Sequence, residues 1–383
     1  MNQRVSMDSS DPVLPGRGHA SLADLLPSIA ARCGVAGFDE TVGLPPARSF
    51  VVLLIDGLGA DLLDAHSAEA PYLASLRSTE HAPMTACVPS TTASSITSLG
   101  TGLPPGRHGV VGYTARIPGT RSLLNALTWD ADVDPAQWQP YPTVFAQMQA
   151  GGATATVVSR SAFVGSGLTR VSQHGAHYIE ADSAWERIGC ATDSAEVPRS
   201  LTYTYSSRLD HAGHEHGSRS EQWRQALRRL DGEARSLREA LPGDTALVVT
   251  GDHGMVDVPE TDRIDVDAVA ELSDGVVLLG GEARFRHVYT SAGAANDVAA
   301  AWRAVLGDRA WVCTRDEAEA ADWFGPVDDR VRPRLGDVVV AARGTNAAVA
   351  KRRFPVEAQM RGFHGSLTAA EMYVPLLVDV VGC

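Results

Sequence analysis

The stretch RSFVVLLIDGLGADLL, residues 48–63, indicates the fold class. Its apolar residues run without a break from Phe50 to Ile55, and Asp56, two glycines and a helix start follow. A strand that is apolar at every position is buried on both faces, which is typical of an inner strand in a parallel α/β sheet. An acid directly after such a strand lies at the edge of the sheet where open α/β proteins bind their ligands.

Strand-like and helix-like segments alternate along the rest of the chain. TALVVT (245–250) predicts a second buried strand, and SLTYTYSSRLD (200–210) predicts a strand that ends on Asp210. EQWRQALRRLDGEARSLREAL (221–241) has apolar residues every three or four positions and a charged face, so it predicts an amphipathic helix. This order predicts a three-layer α/β/α sandwich with a mostly parallel central sheet.

Two regions depart from this alternation. Residues 258–345 mix helical stretches with short strands, and we interpret them as an inserted, cap-like subdomain that packs over or beside the core. Residues 1–20 are rich in Ser, Asp, Pro and Gly, so we expect a flexible N-terminal arm. The remaining residues, 21–383, are predicted to form one α/β domain that carries the insertion.

Composition limits the class of partner. The net charge of −13 argues against binding to nucleic-acid polymers or to anionic membranes, although metal ions can reverse the local field for a small anion. The five cysteines are scattered without a CxxC pair, which indicates reduced thiols. We find neither an apolar core of signal-peptide length at the N-terminus nor a membrane-spanning stretch, so we expect a cytoplasmic protein. The oligomeric state is not predicted.

Polar side chains recur at the ends of the predicted strands and in one late glycine-rich loop. Taken singly they are ordinary, because a strand-end Asp often caps a helix and a loop His is often exposed. Taken together they supply three Asp, three His and a hydroxyl, which are enough nitrogen and oxygen ligands for two zinc-type sites with open positions. The segments carry Asp56, the hydroxyl run Ser90, Thr91 and Thr92, Asp210 with His214, Asp252 with His253, and His364.

Five stretches within residues 51–366 resemble, in the same order, the type I phosphodiesterase/nucleotide pyrophosphatase family of the alkaline phosphatase superfamily. The resemblance rests on LLIDGLGADLL, VPSTTASSITSLGTGLPPGRHGVVGY, YSSRLDHAGHEHG, TGDHGM and GFHGS. It implies two zinc ions per chain, with other divalent metals possible. One ion would be held by Asp210, His214 and His364, and the other by Asp56, Asp252, His253 and Thr92.

The resemblance also selects the nucleophile. In the family a Thr stands nine residues before the Thr of the TGL segment, and Thr101 begins TGLPPG here, so Thr92 is the expected nucleophile. Thr92 would open a helix whose N-terminal amides favour a phosphoryl anion, while Ser90 and Thr91 are expected to cap the turn. Three residues after the nucleophile, the eukaryotic-type members of the family carry an Asn that donates to a phosphate oxygen. Ser95 stands there in this chain and is the expected substrate-binding residue, with a side chain shorter than that of Asn.

The implied activity is hydrolysis of phosphodiester or pyrophosphate bonds in nucleotide-type small molecules through a phosphothreonine intermediate. VPSTTASSITSLGTG contains no Arg or Lys, which favours diesters over the more highly charged monoesters, unless Arg160, Arg170 or Arg361 folds into the site. The alternatives are a phosphonoacetate-type C–P hydrolase, a phosphomonoesterase and a metal-binding pseudoenzyme. A sulfatase is less favoured, because Thr91 replaces the Arg of the Cys-x-Pro-Ser-Arg signature.

Overall fold

The structure of the chain is a computed structural model that describes residues 11–78 and 81–381. The first ten residues of the predicted arm therefore lie outside the described residues. In the described part of the arm, the Val13 amide donates to the Leu367 carbonyl at 2.9 Å, and Leu14 is buried. The chain thus contacts the core from Val13 onward.

The described residues form helices and strands that alternate along parts of the chain. The α-helices are α1 (Leu22–Arg32), α2 (Ala60–Ala65), α3 (Pro71–Ser75), α4 (Thr92–Thr101), α5 (Pro105–His108), α6 (Pro135–Trp138), α7 (Val144–Ala150), α8 (Gly167–Ser172), α9 (Ala184–Ala195), α10 (Arg208–His216), α11 (Glu221–Ala240), α12 (Ala295–Leu306), α13 (Arg315–Ala320) and α14 (Ala369–Met372). No helix within these described ranges is long and apolar enough to cross a bilayer.

The strands, in chain order, are β1 (Ser49–Ile55), β2 (Met84–Thr85), β3 (Thr114–Arg116), β4 (Leu123–Asn125), β5 (Thr154–Ser159), β6 (His177–Glu180), β7 (Ser200–Ser206), β8 (Thr245–Thr250), β9 (Val256–Asp257), β10 (Arg263–Asp265), β11 (Val276–Glu282), β12 (Phe285–Thr290), β13 (Ala310–Thr314), β14 (Val338–Ala342), β15 (Ala347–Val349), β16 (Gly362–Phe363), β17 (Tyr373–Val374) and β18 (Leu377–Asp379).

Six strands form the central sheet, in the order β18-β8-β1-β7-β5-β6. Every neighbouring pair is parallel except β18 with β8 at one edge. Leu54 of β1 aligns with Tyr205 of β7 and with Thr250 of β8. The carboxyl ends of these three strands therefore meet at one edge of the sheet, where a ligand site is expected.

Strand β1 is buried at every position, as its continuous apolar run predicts. Its alternate residues enter two different cores, because successive side chains of a strand point to opposite faces. Phe50 packs in the core that also contains residues of α1, α4 and α7. Val51 packs in the core that also contains residues of α11. Helices thus cover both faces, and the predicted three-layer α/β/α architecture is confirmed.

The region predicted as an insertion is built around a second sheet, which is antiparallel and has the strand order β11-β12-β14-β13. Phe285 on one face of this sheet enters the same core as α1 and α4, and Val288 on the other face packs with Trp302 of α12. Arg284 also pairs with Glu371 through two hydrogen bonds of 2.7 Å, and both side chains are fully buried. The second sheet is therefore packed against the main core.

Candidate active site

The ends of neighbouring strands bring the predicted site residues together. Asp56 directly follows β1, and Asp252 and His253 follow β8 after a single glycine. That glycine, Gly251, leaves no room for a side chain, since a Cβ atom there would lie 2.2 Å from the Leu58 carbonyl oxygen. The loops after β1 and β8 consequently lie in close contact.

The predicted position of Asp210 at the end of a strand is wrong. Strand β7 stops at Ser206, and Asp210 lies in the first turn of α10 rather than at the end of a strand. The helix places Asp210 and His214 on one face, because residues four apart are neighbours on an α-helix. The Nε2 atom of His214 lies 3.3 Å from the Asp210 carboxylate.

The predicted nucleophile lies among the residues at the strand ends. Thr92 Oγ1 is 3.2 Å from His253 Nε2 and 3.5 Å from Asp56 Oδ1. His253 Nε2 is in turn 3.4 Å from Asp56 Oδ1 and 3.7 Å from Asp252 Oδ2. A hydroxyl, an imidazole and two carboxylates thus face a common point.

His364 joins this group to the pair on α10. Its ring stacks on that of His253 with 3.7 Å between centroids, and its Nε2 atom lies 3.2 Å from His214 Nε2 and 3.8 Å from Asp210 Oδ1. The six predicted protein ligands and Thr92 therefore form one connected cluster.

The three histidines are oriented alike. In each ring, Nδ1 is hydrogen-bonded to a backbone carbonyl. A carbonyl oxygen can only accept, so Nδ1 must carry the proton. When the ring is neutral, its Nε2 lone pair therefore points into the cluster. The Nε2 lone pairs of His214 and His364 face each other, so a proton or a cation is needed between them. The three bonds are His253 to Gly254 (2.9 Å), His214 to Gly362 (2.8 Å) and His364 to Ser90 (3.1 Å).

The carboxylates carry unbalanced negative charge. Asp210 Oδ1 and Asp252 Oδ2 are buried and find no hydrogen-bond partner among the described residues. Burial raises the pKa of Asp56 well above its usual range, and the nearby charges of Asp252 and Asp210 raise that pKa further. Burial lowers the pKa of His214, but the Asp210 carboxylate outweighs this effect and raises it to about 9. A divalent cation would satisfy both the orphaned oxygens and the facing lone pairs.

The donor set therefore fits a metal centre of the N/O type that zinc accepts. Two groups of side chains each bring their ligand atoms within 4.8 Å of one another, and His253 belongs to both. The sequence assigned His253 to one ion only and placed His214 with the other, so the division of ligands between two ions stays a prediction. The groups are Asp210, His253 and His364, and Asp56, Asp252 and His253.

The hydroxyls before Thr92 do not cap α4 as expected. Thr91 has the extended backbone of an N-cap residue, with φ −134° and ψ 147°, but its side chain accepts no bond from the described first turn of α4. It donates instead to Glu282 Oε2 at 3.0 Å, and Ser90 donates to the Ser366 carbonyl at 2.6 Å. The first-turn amides of α4 are therefore left for another acceptor.

Ser95 lies apart from the cluster. It is fully buried, and its Oγ atom is 3.4 Å from Cys87 Sγ. A contact between Ser95 and the substrate stays a prediction, and this orientation does not favour it.

A cavity of about 880 Å³ opens onto Asp56 and Thr92. Its wall includes Leu127 and Thr128, and the described lining has no residue from 258–345. The inserted region therefore does not contribute to the described wall of this cavity. Most of the wall comes from residues 159–211, which follow β5 and surround the end of β7.

Aromatic and basic side chains form one side of this cavity. The Tyr205 hydroxyl donates to Asp56 Oδ2, and the Tyr205 ring meets Phe163 edge-on with 6.0 Å between centroids. Arg160 also lines the cavity, with its guanidinium 5.7 Å from the centre of the Phe163 ring. The other two arginines considered above lie elsewhere: Arg170 pairs with Asp134, and Arg361 lines a different cavity.

Sequence reasoning missed Tyr205, Phe163 and Glu282. The sequence could have indicated Tyr205, because this residue lies near the end of a predicted strand, where site residues are expected. Phe163 follows a strand end in a similar way, within a short 3₁₀ turn. Glu282 ends an antiparallel strand of the second sheet, and no local pattern points to it.

Comparisons with known proteins agree with this fold. The murine ectonucleotide pyrophosphatase/phosphodiesterase 5, inactive and in complex with AMP, matches with a TM-score of 0.68 and 17% identity over 86% of this chain and 87% of that chain. The human protein of the same name gives 0.67 and 18% over 86% and 87%. Phosphonoacetate hydrolase from Sinorhizobium meliloti in complex with phosphonoformate gives 0.65 and 20% over 89% and 93%. A search of curated proteins found no match.

At identities this low, the solved structures show the fold alone. The family is shown by a sequence model described as type I phosphodiesterase/nucleotide pyrophosphatase, which matches residues 50–367. That range covers most of the chain and includes every residue of the cluster. The chain therefore belongs to the type I phosphodiesterase/nucleotide pyrophosphatase family, a metal-dependent family of hydrolases.

Proposed function

We propose that this protein hydrolyses phosphodiester or pyrophosphate bonds in nucleotide-type substrates, with Thr92 as nucleophile. The observation that carries the proposal is the position of the Thr92 hydroxyl. It lies between His253 Nε2 and Asp56 Oδ1, opens onto the 880 Å³ cavity and begins a helix whose first-turn amides have no side-chain cap in the described structure. These are the surroundings that a hydroxyl nucleophile and a phosphoryl anion require.

Two zinc ions, or other divalent ions, would lower the pKa of the Thr92 hydroxyl and offset the charge of the phosphoryl group. Asp210, His214 and His364 are proposed to hold one ion, and Asp56, Asp252, His253 and Thr92 the other. Tyr205 fixes Asp56 by donating to Oδ2, which leaves Oδ1 directed toward Thr92.

Thr92 is proposed to attack phosphorus in line with the leaving group. The bond to the leaving alcohol or phosphate breaks as the Oγ1–P bond forms, and the proton of the Thr92 hydroxyl passes to the leaving group or to solvent. The resulting phosphothreonine still carries the other substituent of the substrate phosphorus, which is the nucleoside in a nucleotide ester. Water then attacks that phosphorus and releases the phosphorylated product, which restores the Thr92 hydroxyl. Throughout both steps the amides at the start of α4 can donate to the phosphoryl oxygens.

The cavity wall supports a nucleotide-type substrate. The rings of Phe163 and Tyr205 offer an apolar surface on which a base can pack, and Arg160 adds a positive charge beside them. A structural neighbour was solved in complex with AMP, which agrees with a nucleotide but does not identify the substrate of this chain. A cytoplasmic location is likewise a proposal.

Phosphonoacetate-type C–P bond hydrolysis is the second candidate. It is favoured by the similarity to phosphonoacetate hydrolase over 89% of this chain and by Arg160, which can bind a carboxylate. A pseudoenzyme is disfavoured, because every predicted ligand is present in the cluster.

Relative kcat/KM values distinguish these candidates. The zinc-loaded protein is assayed with a nucleotide p-nitrophenyl ester, bis-p-nitrophenyl phosphate, p-nitrophenyl phosphate and phosphonoacetate. We expect the nucleotide ester to have the highest kcat/KM and the monoester a much lower one. Arg160 does line the cavity, but it lies beside the Phe163 ring, where the second substituent of a diester would pack. A higher value for the monoester or for phosphonoacetate would refute the proposed substrate class, and no turnover of any of them would indicate a pseudoenzyme.

A further inference from the structure

Glu282 is an acid from the second sheet that lies against the active site. It ends β11, its side chain is only 12% exposed, and Oε2 accepts the bond from the Thr91 hydroxyl at 3.0 Å. Oε2 also lies 3.7 Å from His364 Nδ1. One side chain of the insertion therefore touches both the residue before Thr92 and the loop that carries His364.

The packing around Glu282 leaves it little freedom. A Cβ atom at Gly365 would lie 2.9 Å from side-chain carbons of Glu282, so the acid fits closely against the glycine next to His364. The other oxygen, Oε1, is buried and has no hydrogen-bond partner in the described ranges of the chain. The bond from Thr91 is thus the one hydrogen bond that this carboxyl group makes within the described ranges.

This bond changes what Thr91 does at the start of α4. A Thr in the N-cap position normally accepts a bond from the second or third amide of its helix, here Ala93 or Ser94. The Thr91 hydroxyl makes no such bond in the described structure, because it is turned toward Glu282. The amides that a capping hydroxyl would occupy are therefore free beside Thr92.

We propose that Glu282 is a positioning residue, which holds the Thr91 hydroxyl away from the first turn of α4 and so keeps its amides free for a phosphoryl oxygen of the substrate. The inference rests on the proposed function in taking Thr92 as the nucleophile. It gives the insertion a role at the reaction centre, although the insertion does not line the substrate cavity.

Without the acid, the Thr91 side chain can rotate and cap the helix. The cap then competes with the phosphoryl group for the same amides, and both substrate and phosphate bind less well. We expect Glu282→Ala to lower kcat/KM for the nucleotide p-nitrophenyl ester about tenfold, which corresponds to ~1.4 kcal/mol. Glu282→Gln keeps an acceptor for Thr91 and should retain more activity than Glu282→Ala.

The decisive experiment removes the competing hydroxyl in the same background. Thr91→Val combined with Glu282→Ala should recover most of the loss, because valine cannot cap. Thr114→Val is the matched control: its hydroxyl donates to the Gly281 carbonyl at 2.8 Å, next to Glu282 but outside α4. Combined with Glu282→Ala, it should recover nothing.

Binding of inorganic phosphate to the zinc-loaded variants, measured by calorimetry, gives a readout that does not depend on turnover. The same order of affinities is expected: weak for Glu282→Ala, recovered with Thr91→Val, and not recovered with Thr114→Val. If Thr91→Val fails to restore binding, or if Glu282→Ala binds phosphate like the wild type, the inference is wrong. If the variants show the expected order of phosphate affinities but the wild type turns over no substrate, the proposed function is refuted and the inference about Glu282 is not.

Discussion

Replacing Asp252 with Asn is expected to change stability in opposite directions with and without metal. Asp252 Oδ1 accepts the amides of Gly57 at 3.1 Å and His253 at 3.0 Å, and the carbonyl oxygen of Asn can accept both. Oδ2 has no partner among the described residues and becomes an NH₂ group that can donate toward Asp56. The metal-free variant therefore loses a repelling charge, whereas the metal-loaded variant loses a ligand.

The size of both effects can be estimated. A metal ion present at 100 times its Kd stabilises the folded state by ~2.7 kcal/mol. For 383 residues, an unfolding entropy of ~2.1 cal/mol/K per residue gives about 0.8 kcal/mol/K, so each ion should raise Tm by about 3 °C. Removing one buried, repelling carboxylate should stabilise the metal-free variant by ~1–2 kcal/mol, which raises its Tm by about 1–2.5 °C.

The pH dependence of the metal-free protein has a definite sign. The folded-state pKa of Asp56 lies above its ordinary value of 3.8, so folding binds a proton and stability falls as pH rises from that value toward the raised pKa. The charge of Asp252 is one cause of the raised pKa. Asp252→Asn should therefore make this loss of stability smaller.

Thermal unfolding is measured for wild type and variant in a chelator and across a zinc titration. Asp231→Asn is the matched control, because Asp231 is also buried but its oxygens accept the amides of Leu73 at 2.8 Å and Tyr72 at 3.3 Å. This control should lose stability and keep the full zinc-induced rise in Tm. If Asp252→Asn also kept the full rise, or were less stable than wild type in the chelator, the reasoning about this cluster would be refuted.

Three further predictions concern activity and packing. Thr92→Ala should lower kcat/KM by at least ~10³, and mass spectrometry of the reaction quenched with the nucleotide p-nitrophenyl ester should show a nucleotidyl group on Thr92 of the wild type but none on this variant. Tyr205→Phe should lower kcat about tenfold with little change in Tm, because it frees one oxygen of Asp56; an unchanged kcat would mean that the bond has no role in positioning. Glu371→Ala leaves the Arg284 charge buried and unpaired, so unfolding in denaturant should show a loss of ~3–5 kcal/mol, and a loss below ~1 kcal/mol would contradict this account.

Local pattern was enough to predict the parts of the site that follow buried strands. Asp56 directly follows a continuous apolar strand, and Asp252 follows another after a single glycine, so parallel pairing of the two strands places both acids at one edge. The pair Asp210 and His214 was also predicted, but its helix was not, because the alternating pattern of β7 gives no sign that the strand ends at Ser206.

Contacts between distant segments could not be predicted in this way. Thr91 and Glu282 are 191 residues apart, and Tyr205 and Asp56 are 149 residues apart. Whether a threonine caps its own helix or donates to a remote acid depends on which group is nearer after folding. Arg160 illustrates the same point, because its entry into the cavity is set by the turn after β5 and not by any motif.

The spacing of the site along the chain has a consequence for protein synthesis. Ser90 and His364, which are hydrogen-bonded in the folded protein, are separated by 274 residues. At ~5–20 residues per second, a ribosome needs roughly 15–55 s to add the segment between them. During that time the nascent polypeptide carries the helix of Thr92 without the histidine loop that completes the cluster. Translation therefore delays the assembly of a competent site until nearly all of the sheet-forming segments have emerged.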